Sequence, residues 1–391
     1  MSRLIELITE LCPEGVEYKT LGEVIDYKQP TKYIVESTNY NDDFTIPVLT
    51  AGDSFILGYT DETKGVYPAS KQSPVIIFDD FTTSFHWVDF GFKVKSSAMK
   101  LLTIKDESQA ILRYLFFAMK CISFEPSQHA RHWIQTYSNF SVPVPPLPVQ
   151  QEIVRILDKF TTLEAKLEAE LEARKIQYEY YRDSCLTFGD DVERKILGKI
   201  ATDMYRGSGI KRDQVTESGT PCVRYGEIYT TYNIWFDTCI SHTDVKTVPS
   251  KKYFEHGDIL FAITGESVDE IAKSCVYIGH EKCLAGGDVV VMKHNENPKY
   301  LGYALSTPDA QRQKSKGKVK SKVVHSSVPA LKAIEVPIPS LVEQERIVAI
   351  LDRFDALVND ITQGLPAEIT ARRKQYEYYR GKLLSFKEKV L

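Results

Sequence analysis

The densest group of chemically active side chains is a run of alternating lysines in the C-terminal half. Five lysines fall within nine residues of QRQKSKGKVKSK, with no acidic residue between them: Lys314, Lys316, Lys318, Lys320 and Lys322. Closely spaced ammonium groups are the usual means of neutralising phosphates. We predict a phosphate-binding loop here, and a solvated surface loop is the alternative.

Two further sets combine cations, hydroxyls and amides, the groups that position phosphates and read base edges. In the N-terminal half they are Gln29, Thr31, Lys32, Tyr33, Phe81, Thr82, Thr83, Lys93, Lys95 and Lys100. In the C-terminal half they are Tyr205, Arg206, Lys211, Arg212, Arg224, Tyr225, Thr264 and Ser267. Taken singly, each of these residues is more often an ordinary surface residue than a base contact. Only the two sets together indicate binding of nucleic acid.

The charge of the whole chain argues in the other direction. The 391 residues carry 49 Lys+Arg against 53 Asp+Glu, a net charge of −4. Divided by segment, residues 1–142 hold 13 basic and 18 acidic side chains (13 − 18 = −5), whereas residues 190–336 hold 21 and 19 (21 − 19 = +2). Positive charge is therefore local, which suits a binding cleft better than a uniformly adhesive surface.

The sequence contains no credible catalytic site. It has no GxxxxGK[ST] phosphate loop and no NPPY or DPPY run. His129 and His132 lack a third ligand candidate, and Asp79-Asp80 after a strand favours a solvated turn or helix cap over a magnesium site. We predict no catalytic residue, no metal and no cofactor on this chain.

Cysteine usage and hydropathy indicate the compartment. The seven cysteines show no CxxC spacing, which is typical of a reduced chain without disulfides or structural zinc. No apolar run approaches the roughly 20 residues that a membrane helix needs. We expect a cytoplasmic protein with no membrane partner.

Internal duplication is the strongest signal in the chain. PVPPLPVQQEIVRILDKF (143–160) matches PIPSLVEQERIVAILDRF (337–354) at ten of eighteen positions, and ARKIQYEYYRDSCLTF (173–188) matches ARRKQYEYYRGKLLSF (371–386) at ten of sixteen. A weaker echo joins VEYKTLGEV (16–24) to VERKILGKI (192–200). Residues 25–142 and 201–336 show no convincing identity, so the connecting parts stayed alike while the large segments diverged.

This pattern indicates a bivalent reader. Similar parts should meet similar partners or each other, whereas dissimilar parts should meet different targets. A single-site enzyme offers no reason for such a division.

The duplicated parts have the periodicity of long helices. No Gly or Pro interrupts residues 149–188, and about 40 helical residues would span roughly 60 Å. Residues 342–386 repeat the apolar stripe with an interruption at Gly364-Leu365-Pro366. We predict a pseudo-two-fold antiparallel pair, and the alternative is that each helix packs on its own domain. The residues assigned to pairing or partner docking are Ile153, Leu157, Phe160, Leu163, Leu167, Leu171, Tyr178, Tyr181, Ile347, Leu351, Phe354, Leu357, Tyr376 and Tyr379.

The segments between the repeats read as mixed α/β. PVIIF (74–78), GDILFAI (257–263) and GGDVVVM (286–292) are buried-strand patterns, with 221–225 a weaker one. Residues 112–121 and 298–307 read as helices at similar places in each half. The predicted fold class is α/β (α+β): two similar mixed domains joined by two long antiparallel helices in a duplicated architecture.

At the duplicated blocks the sequence resembles the specificity subunits of type I restriction–modification enzymes. GDILFAITG is similar to a strand and loop of that family's target recognition domains, and the Leu163-Glu-Ala-Lys, Leu167-Glu-Ala-Glu, Leu171-Glu-Ala-Arg run resembles the tetrapeptide repeats of the IC-like subfamily. The resemblance implies target recognition domains at 1–142 and 189–336, and conserved helical spacers at 143–188 and 337–391. The second helix departs from it, because it lacks LEAx units.

By this resemblance, each recognition domain reads one half of an asymmetric bipartite site in double-stranded DNA, and the helices set the spacing. They would dock two methyltransferase subunits and two restriction–translocase subunits. S-adenosylmethionine, ATP and magnesium would act on those partners, and this chain would be non-catalytic. A coiled-coil adaptor with two protein-binding domains, a methylation-only system and an enzyme with an unrecognised site are the alternatives.

Overall fold

The computed structural model describes residues 2–52, 54–126, 130–315, 318–320, 323–360 and 362–389. The chain forms two compact units, one of Met1–Glu168 with Ile369–Leu391 and the other of Ala169–Glu368. Each unit thus combines one globular domain with parts of the long helices. The boundaries at 142/143, 188/189 and 336/337 divide the chain in a different way, into domains and spacers, and they stay a prediction.

The first unit is mixed α/β. Its domain contains the helices α1 (Ser2–Leu11), α2 (Leu21–Val24), α3 (Leu112–Met119) and α4 (His132–Gln135). Its strands are β1 (Glu17–Thr20), β2 (Ile25–Lys28), β3 (Ile46–Leu49), β4 (Ile56–Thr60), β5 (Val75–Asp79), β6 (Phe85–Val88), β7 (Lys93–Val94), β8 (Met99–Ile104) and β9 (Ser141–Val144). They form sheets ordered β2-β8-β5-β6, β4-β3-β7 and β1-β9. The long helix α5 (Leu147–Cys185) follows β9.

The second unit is also mixed. Its strands are β10 (Arg194–Ile196), β11 (Ala201–Arg206), β12 (Val215–Thr216), β13 (Thr220–Val223), β14 (Trp235–Phe236), β15 (Ser241–Thr243), β16 (Tyr253–Phe254), β17 (Ile259–Ala262), β18 (Thr264–Gly265), β19 (Ser274–Tyr277), β20 (Cys283–Ala285), β21 (Val289–His294), β22 (Lys318–Lys320), β23 (Val323–His325) and β24 (Glu335–Pro337). Its helices are α6 (Leu197–Ile200), α7 (Tyr225–Thr230), α8 (Pro298–Leu305), α9 (Pro308–Lys314), α10 (Val328–Lys332) and α11 (Leu341–Asn359). The last helix of the chain, α12, spans Leu365–Leu383.

The two domains share a topology that their sequences do not show. The sheet order β11-β21-β17-β19-β14 repeats β2-β8-β5-β6 with one added strand, and β12-β15-β13-β20-β16 contains a counterpart of β4-β3-β7. In both smaller sheets one pair is parallel, β3 with β7 and β13 with β20. The antiparallel pairs β1-β9 and β10-β24 also correspond. The predicted duplication of a mixed domain is confirmed.

The predicted helices are confirmed within a few residues. The helix α5 has 39 residues and begins directly after the proline cluster, which cannot continue as helix interior. The interruption at Gly364 separates α11 from α12. A β-carbon at Gly364 would lie 2.5 Å from the Ala356 carbonyl oxygen, so the backbone at the end of α11 leaves room only for glycine. No helix in the described ranges is long and apolar enough to cross a membrane.

Candidate nucleic-acid interface

Each domain meets its helix through the same buried glutamine. In the first unit the fully buried Gln150 amide donates to the Pro145 carbonyl oxygen at 2.7 Å and accepts from the Ile111 N–H at 2.9 Å. In the second unit Gln344 donates to Pro339 at 3.0 Å and accepts, at 2.9 Å, the N–H that precedes α8. Because these bonds satisfy backbone groups that are cut off from water, they fix the point at which each long helix leaves its domain.

A second matched pair of bonds closes the junction. The Tyr114 hydroxyl on α3 donates to the Pro143 carbonyl oxygen at 2.9 Å, and the Tyr300 hydroxyl on α8 donates to Pro337 at 2.9 Å. Both tyrosines are fully buried. The predicted helices at 112–121 and 298–307 therefore occupy equivalent places, and each holds the start of its long helix through a tyrosine.

A cation on each of these helices binds an aspartate of the long helix. Arg113 contacts Asp158 at 2.8 Å, and Lys299 contacts Asp352 at 2.6 Å. Each cation also lies over an indole ring, 4.7 Å and 4.1 Å from the ring centroids. The rings belong to Trp87 and Trp235. The sequence repeats contained a signal for this junction, because Gln150/Gln344 and Asp158/Asp352 are identical pairs. Their role in attaching the helices to the domains can be seen only from the contacts in the structure.

Within the first unit, α5 and α12 run antiparallel. Phe160 stacks on Tyr379 with ring centroids 5.6 Å apart. Further along α5, Glu164 and Glu168 both bind Arg373, which precedes Tyr379 on α12. Residue numbers therefore rise on one helix as they fall on the other.

Within the second unit, α5 and α11 form the matching pair. Tyr181 stacks on Phe354 with centroids 5.1 Å apart, at positions that correspond to Tyr379 and Phe160 in the repeats. Tyr178 and Val358 are buried in the same cluster. The antiparallel pairing holds inside each unit.

The apolar residues predicted along the long helices have two roles, because some pack into a domain core and others pack between helices. Ile153 and Leu157 are fully buried in the core of the first domain, and Ile347 and Leu351 in that of the second. Packing of each helix on its own domain, the alternative arrangement, is thus also realised. Leu167 is buried, Leu171 and Tyr376 pack at the cluster edges, and the partly exposed members are Leu163, Leu357 and Tyr181.

The second domain brings several predicted residues around one cavity of about 570 Å³. Arg224 precedes α7 and binds Glu227 at 3.1 Å, while the next residue, Tyr225, is 40% exposed. Arg212 and the Gly286-Gly287 backbone line the same cavity. Cations and an exposed aromatic ring are groups that bind phosphates and bases. We take this cavity, hereafter the Arg224 cavity, as the candidate interface of the second domain.

Its walls depend on a close crossing of two glycine-containing loops. A β-carbon at Gly207 would lie 2.2 Å from the Gly286 carbonyl oxygen, so no side chain fits there. Next to this crossing, Arg206 binds the Gly287 carbonyl and the Asp288 carboxylate, and the neighbouring Lys211 is exposed.

Three other predicted residues of this domain lie away from the Arg224 cavity, and one of them, Tyr205, lines a different cavity. Thr264 is buried in β18 with its hydroxyl 3.3 Å from the His325 ring, which contradicts a surface contact. Ser267 is half-buried, and its hydroxyl accepts from the Asp269 N–H in a turn.

In the first domain, three predicted contacts are wrong because the side chains are buried. Lys93 is 3% exposed and pairs with Glu62 at 2.6 Å. Lys100 is 1% exposed and pairs with Asp80 at 3.0 Å. Thr83 is buried in a left-handed backbone conformation with φ of 59°.

The pair Asp79-Asp80 is not a uniformly solvated turn. Asp79 accepts from the N–H groups of Phe81 and Thr82 and so caps the turn, as predicted. Asp80 instead forms the buried pair with Lys100 and accepts from the Trp133 N–H at 2.9 Å.

The remaining residues of this set stay accessible. Gln29, Thr31 and Lys32 are exposed after β2, where Tyr33 packs edge-on against Tyr67. Other accessible positions are Thr82, the half-buried Phe81, and Lys95, whose ammonium donates to the Tyr40 hydroxyl at 3.3 Å. These stay candidates for DNA contact.

The lysine run is only partly a loop. Lys314 is 4% exposed, and its ammonium donates to the Leu305 carbonyl oxygen at 2.7 Å and the Ser274 hydroxyl at 3.1 Å. This buried, internally bound ammonium contradicts the predicted phosphate contact, and burial lowers the pKa of Lys314 to about 7. Lys318 and Lys320 belong to β22, with side chains outside the described part, and Lys316 and Lys322 lie outside the described residues altogether.

The described ranges contain no group of three or more His, Cys, Asp or Glu side chains arranged to hold a metal ion. His132 is buried, with its ring edge-on to Phe124, and His129 lies outside the described residues.

Comparisons with known proteins identify the family. Residues 13–173 and 191–371 each match the type I restriction modification DNA specificity domain. The chain is 40% identical over 394 residues to the specificity subunit of the type I restriction enzyme EcoR124I/EcoR124II from Escherichia coli, covering 95% of this chain and 94% of that one. The chain therefore belongs to the type I restriction–modification specificity-subunit family, which supports a non-catalytic role.

Solved structures share its fold. The type I restriction–modification S subunit from M. genitalium aligns with a TM-score of 0.55 at 15% identity, over 95% of this chain and 96% of that one. A chain from a structural study of complex assembly and conformational transition in a type I system aligns with a TM-score of 0.57 at 15% identity, over 95% and 98%. At this identity they support the duplicated architecture alone.

Proposed function

We propose that this chain is the DNA-specificity subunit of a type I restriction–modification complex, in which each domain reads one half of an asymmetric, interrupted DNA site. The observation that carries the proposal is the contrast between junctions and domains. The two junctions share the same glutamine, tyrosine and aspartate contacts, while the surfaces of the two domains differ in sequence and charge. Two equivalent attachments combined with two different surfaces suit one kind of partner subunit and two different half-sites.

The chemistry would belong to the partners. Two methyltransferase subunits, supplied with S-adenosylmethionine, would modify adenine. Two restriction–translocase subunits would use ATP and magnesium for cleavage. The candidate residues on this chain bind and orient DNA, and the long helices set the distance between half-sites.

Methylome sequencing tests this proposal directly. Cells that express the chain together with its methyltransferase should carry a bipartite adenine-methylation motif with a fixed gap. A continuous palindrome, or no motif, would overturn the proposal. Plasmid cleavage by the same complex with and without a restriction subunit separates a restricting system from a methylation-only one.

A further inference from the structure

A second cavity of the second domain, about 440 Å³, is bordered by lysines that no sequence motif singles out. Lys251 and Lys252 precede β16, and Lys282 precedes β20. All three side chains are exposed. The antiparallel pairing of β16 with β20 brings these two distant segments together.

Two tyrosine rings support the lysines. The Lys252 ammonium lies 5.7 Å from the centre of the Tyr205 ring, and the Lys282 ammonium lies 4.9 Å from that of Tyr253. The Tyr205 hydroxyl donates to the Tyr253 backbone carbonyl oxygen, which holds the Tyr205 ring against β16. Contact with aromatic faces restricts otherwise flexible side chains, so less conformational entropy is lost when an anion binds.

Lysines outnumber carboxylates in the lining of this cavity. Four lysines and two carboxylates line the cavity, so its lining carries 4 − 2 = +2. The fourth lysine, Lys293, is already bound to Glu255 at 2.6 Å and to Asp258 at 3.0 Å. The described residues show an ion pair for Lys293 and none for Lys251, Lys252 or Lys282, whose side chains are exposed.

Short stretches of backbone connect the lining of this cavity with that of the Arg224 cavity. Tyr205 lines the lysine cavity, and its neighbour Arg206 binds Asp288, which lines the other one. The Lys252 carbonyl accepts from the Ala285 N–H at 2.8 Å, one residue before Gly286 of the Arg224 cavity. Proteins that read DNA combine phosphate contacts, which set position, with base contacts, which set sequence.

We infer that Lys251, Lys252 and Lys282 bind phosphates of the DNA duplex whose bases are read from the Arg224 cavity of the same domain. The inference rests on the proposed function and assigns the phosphate contacts of its second half-site. It replaces Lys314 with lysines from two other segments of the same domain.

The salt dependence of binding measures this assignment. Each phosphate contact contributes about 0.9 to the slope of log K against log salt, so three contacts contribute about 2.7. Between 50 and 200 mM salt, this share corresponds to a loss of affinity of roughly 40-fold.

The experiment uses the complex of this chain with its methyltransferase and a labelled duplex that contains the motif found by methylome sequencing. Fluorescence anisotropy over 50–300 mM salt gives the slope for the wild type and for a Lys251→Gln, Lys252→Gln, Lys282→Gln variant. A Lys195→Gln, Lys199→Gln, Lys332→Gln variant changes the charge of the same domain equally at positions outside the cavity. Size-exclusion chromatography establishes that each complex is assembled.

The expected result is a slope smaller in magnitude by about 2 to 3 in the cavity variant only, with the order of preference among mismatched duplexes unchanged. Arginine at all three positions should restore the slope. An unchanged slope in the cavity variant, or an equal change in the control variant, overturns the inference. If the wild-type complex still binds the bipartite duplex specifically, that result leaves the proposed function intact. A wild-type complex with no preference for the bipartite duplex overturns the proposed function itself.

Discussion

The buried ammonium of Lys314 should make the stability of the second unit depend on pH. Burial lowers the pKa of this group from 10.5 to about 7, although its bond to the Leu305 carbonyl oxygen offsets part of the cost. Between these two values the unfolded chain holds a proton that the folded chain has released. Stability therefore rises with pH from about 7 to 10.5, and below 7 the full cost of the buried charge is present.

The size of the effect follows from the shift. Each pKa unit corresponds to about 1.36 kcal/mol, so raising the pH from about 7.5 to 9.0 should stabilise the wild type by about 2 kcal/mol relative to Lys314→Met, which does not titrate. Urea unfolding of both proteins, followed by Trp235 fluorescence with Trp87 and Trp133 replaced by phenylalanine, gives the two free energies of unfolding. Trp235 lies on β14, beside the strand that holds Ser274.

Lys332→Met is the matched control, since Lys332 is exposed on the same unit. Its stability relative to wild type should not vary with pH over this range. If the difference in the free energy of unfolding between the wild type and Lys314→Met is also constant from pH 7.5 to 9.0, burial does not lower the pKa of Lys314, and the reasoning is refuted.

Three further predictions follow from the junctions, the acid response and the long helix. Gln150→Leu and Gln344→Leu should each lower the free energy of unfolding by about 2 to 4 kcal/mol, since each leaves buried backbone groups unpaired; chemical denaturation that shows a loss at only one site would contradict their equivalence. Hydrogen bonds from Lys93 and the Ser37 N–H hold the pKa of Glu62 at about 2, so the ionised carboxylate stabilises the fold above pH 4.5 and this contribution is lost as the pH falls towards 2. Acid unfolding of the wild type and of Glu62→Gln, followed by circular dichroism, should show this loss of stability in the wild type only. Deletion of Leu167–Glu170 removes about 6 Å of helix and should change the gap in the methylated motif while preserving both half-sites; altered half-sites in the methylome would contradict the spacer role.

Regular periodicity explains why the helices were predictable. The stretch from Val149 onward lacks Gly and Pro and repeats its apolar residues at helical spacing, so its local preferences agree with the fold. The break near Gly364 was predictable because Gly364 and Pro366 interrupt the second helical stretch, and proline is tolerated only in the first turn of a helix. Internal identity between the two halves also revealed the bivalent design before any contact was known.

Charge was predictable in kind but not in place. Lys93, Lys100 and Lys314 carry the residue type expected of a phosphate contact, yet the fold brings each of them to an internal partner. Lys251 and Lys282 lie about thirty residues apart in the sequence and form no motif. Only the pairing of β16 with β20 makes them one surface.

The sequence by itself determined the duplicated plan and the long helices, because these depend on local periodicity and on identity between repeats. Only the tertiary structure decided which lysines and arginines face solvent and which are buried and bound to partners inside a domain. Whether a charged side chain is free depends on partners distant in sequence and on its desolvation, and neither is encoded in the neighbouring residues.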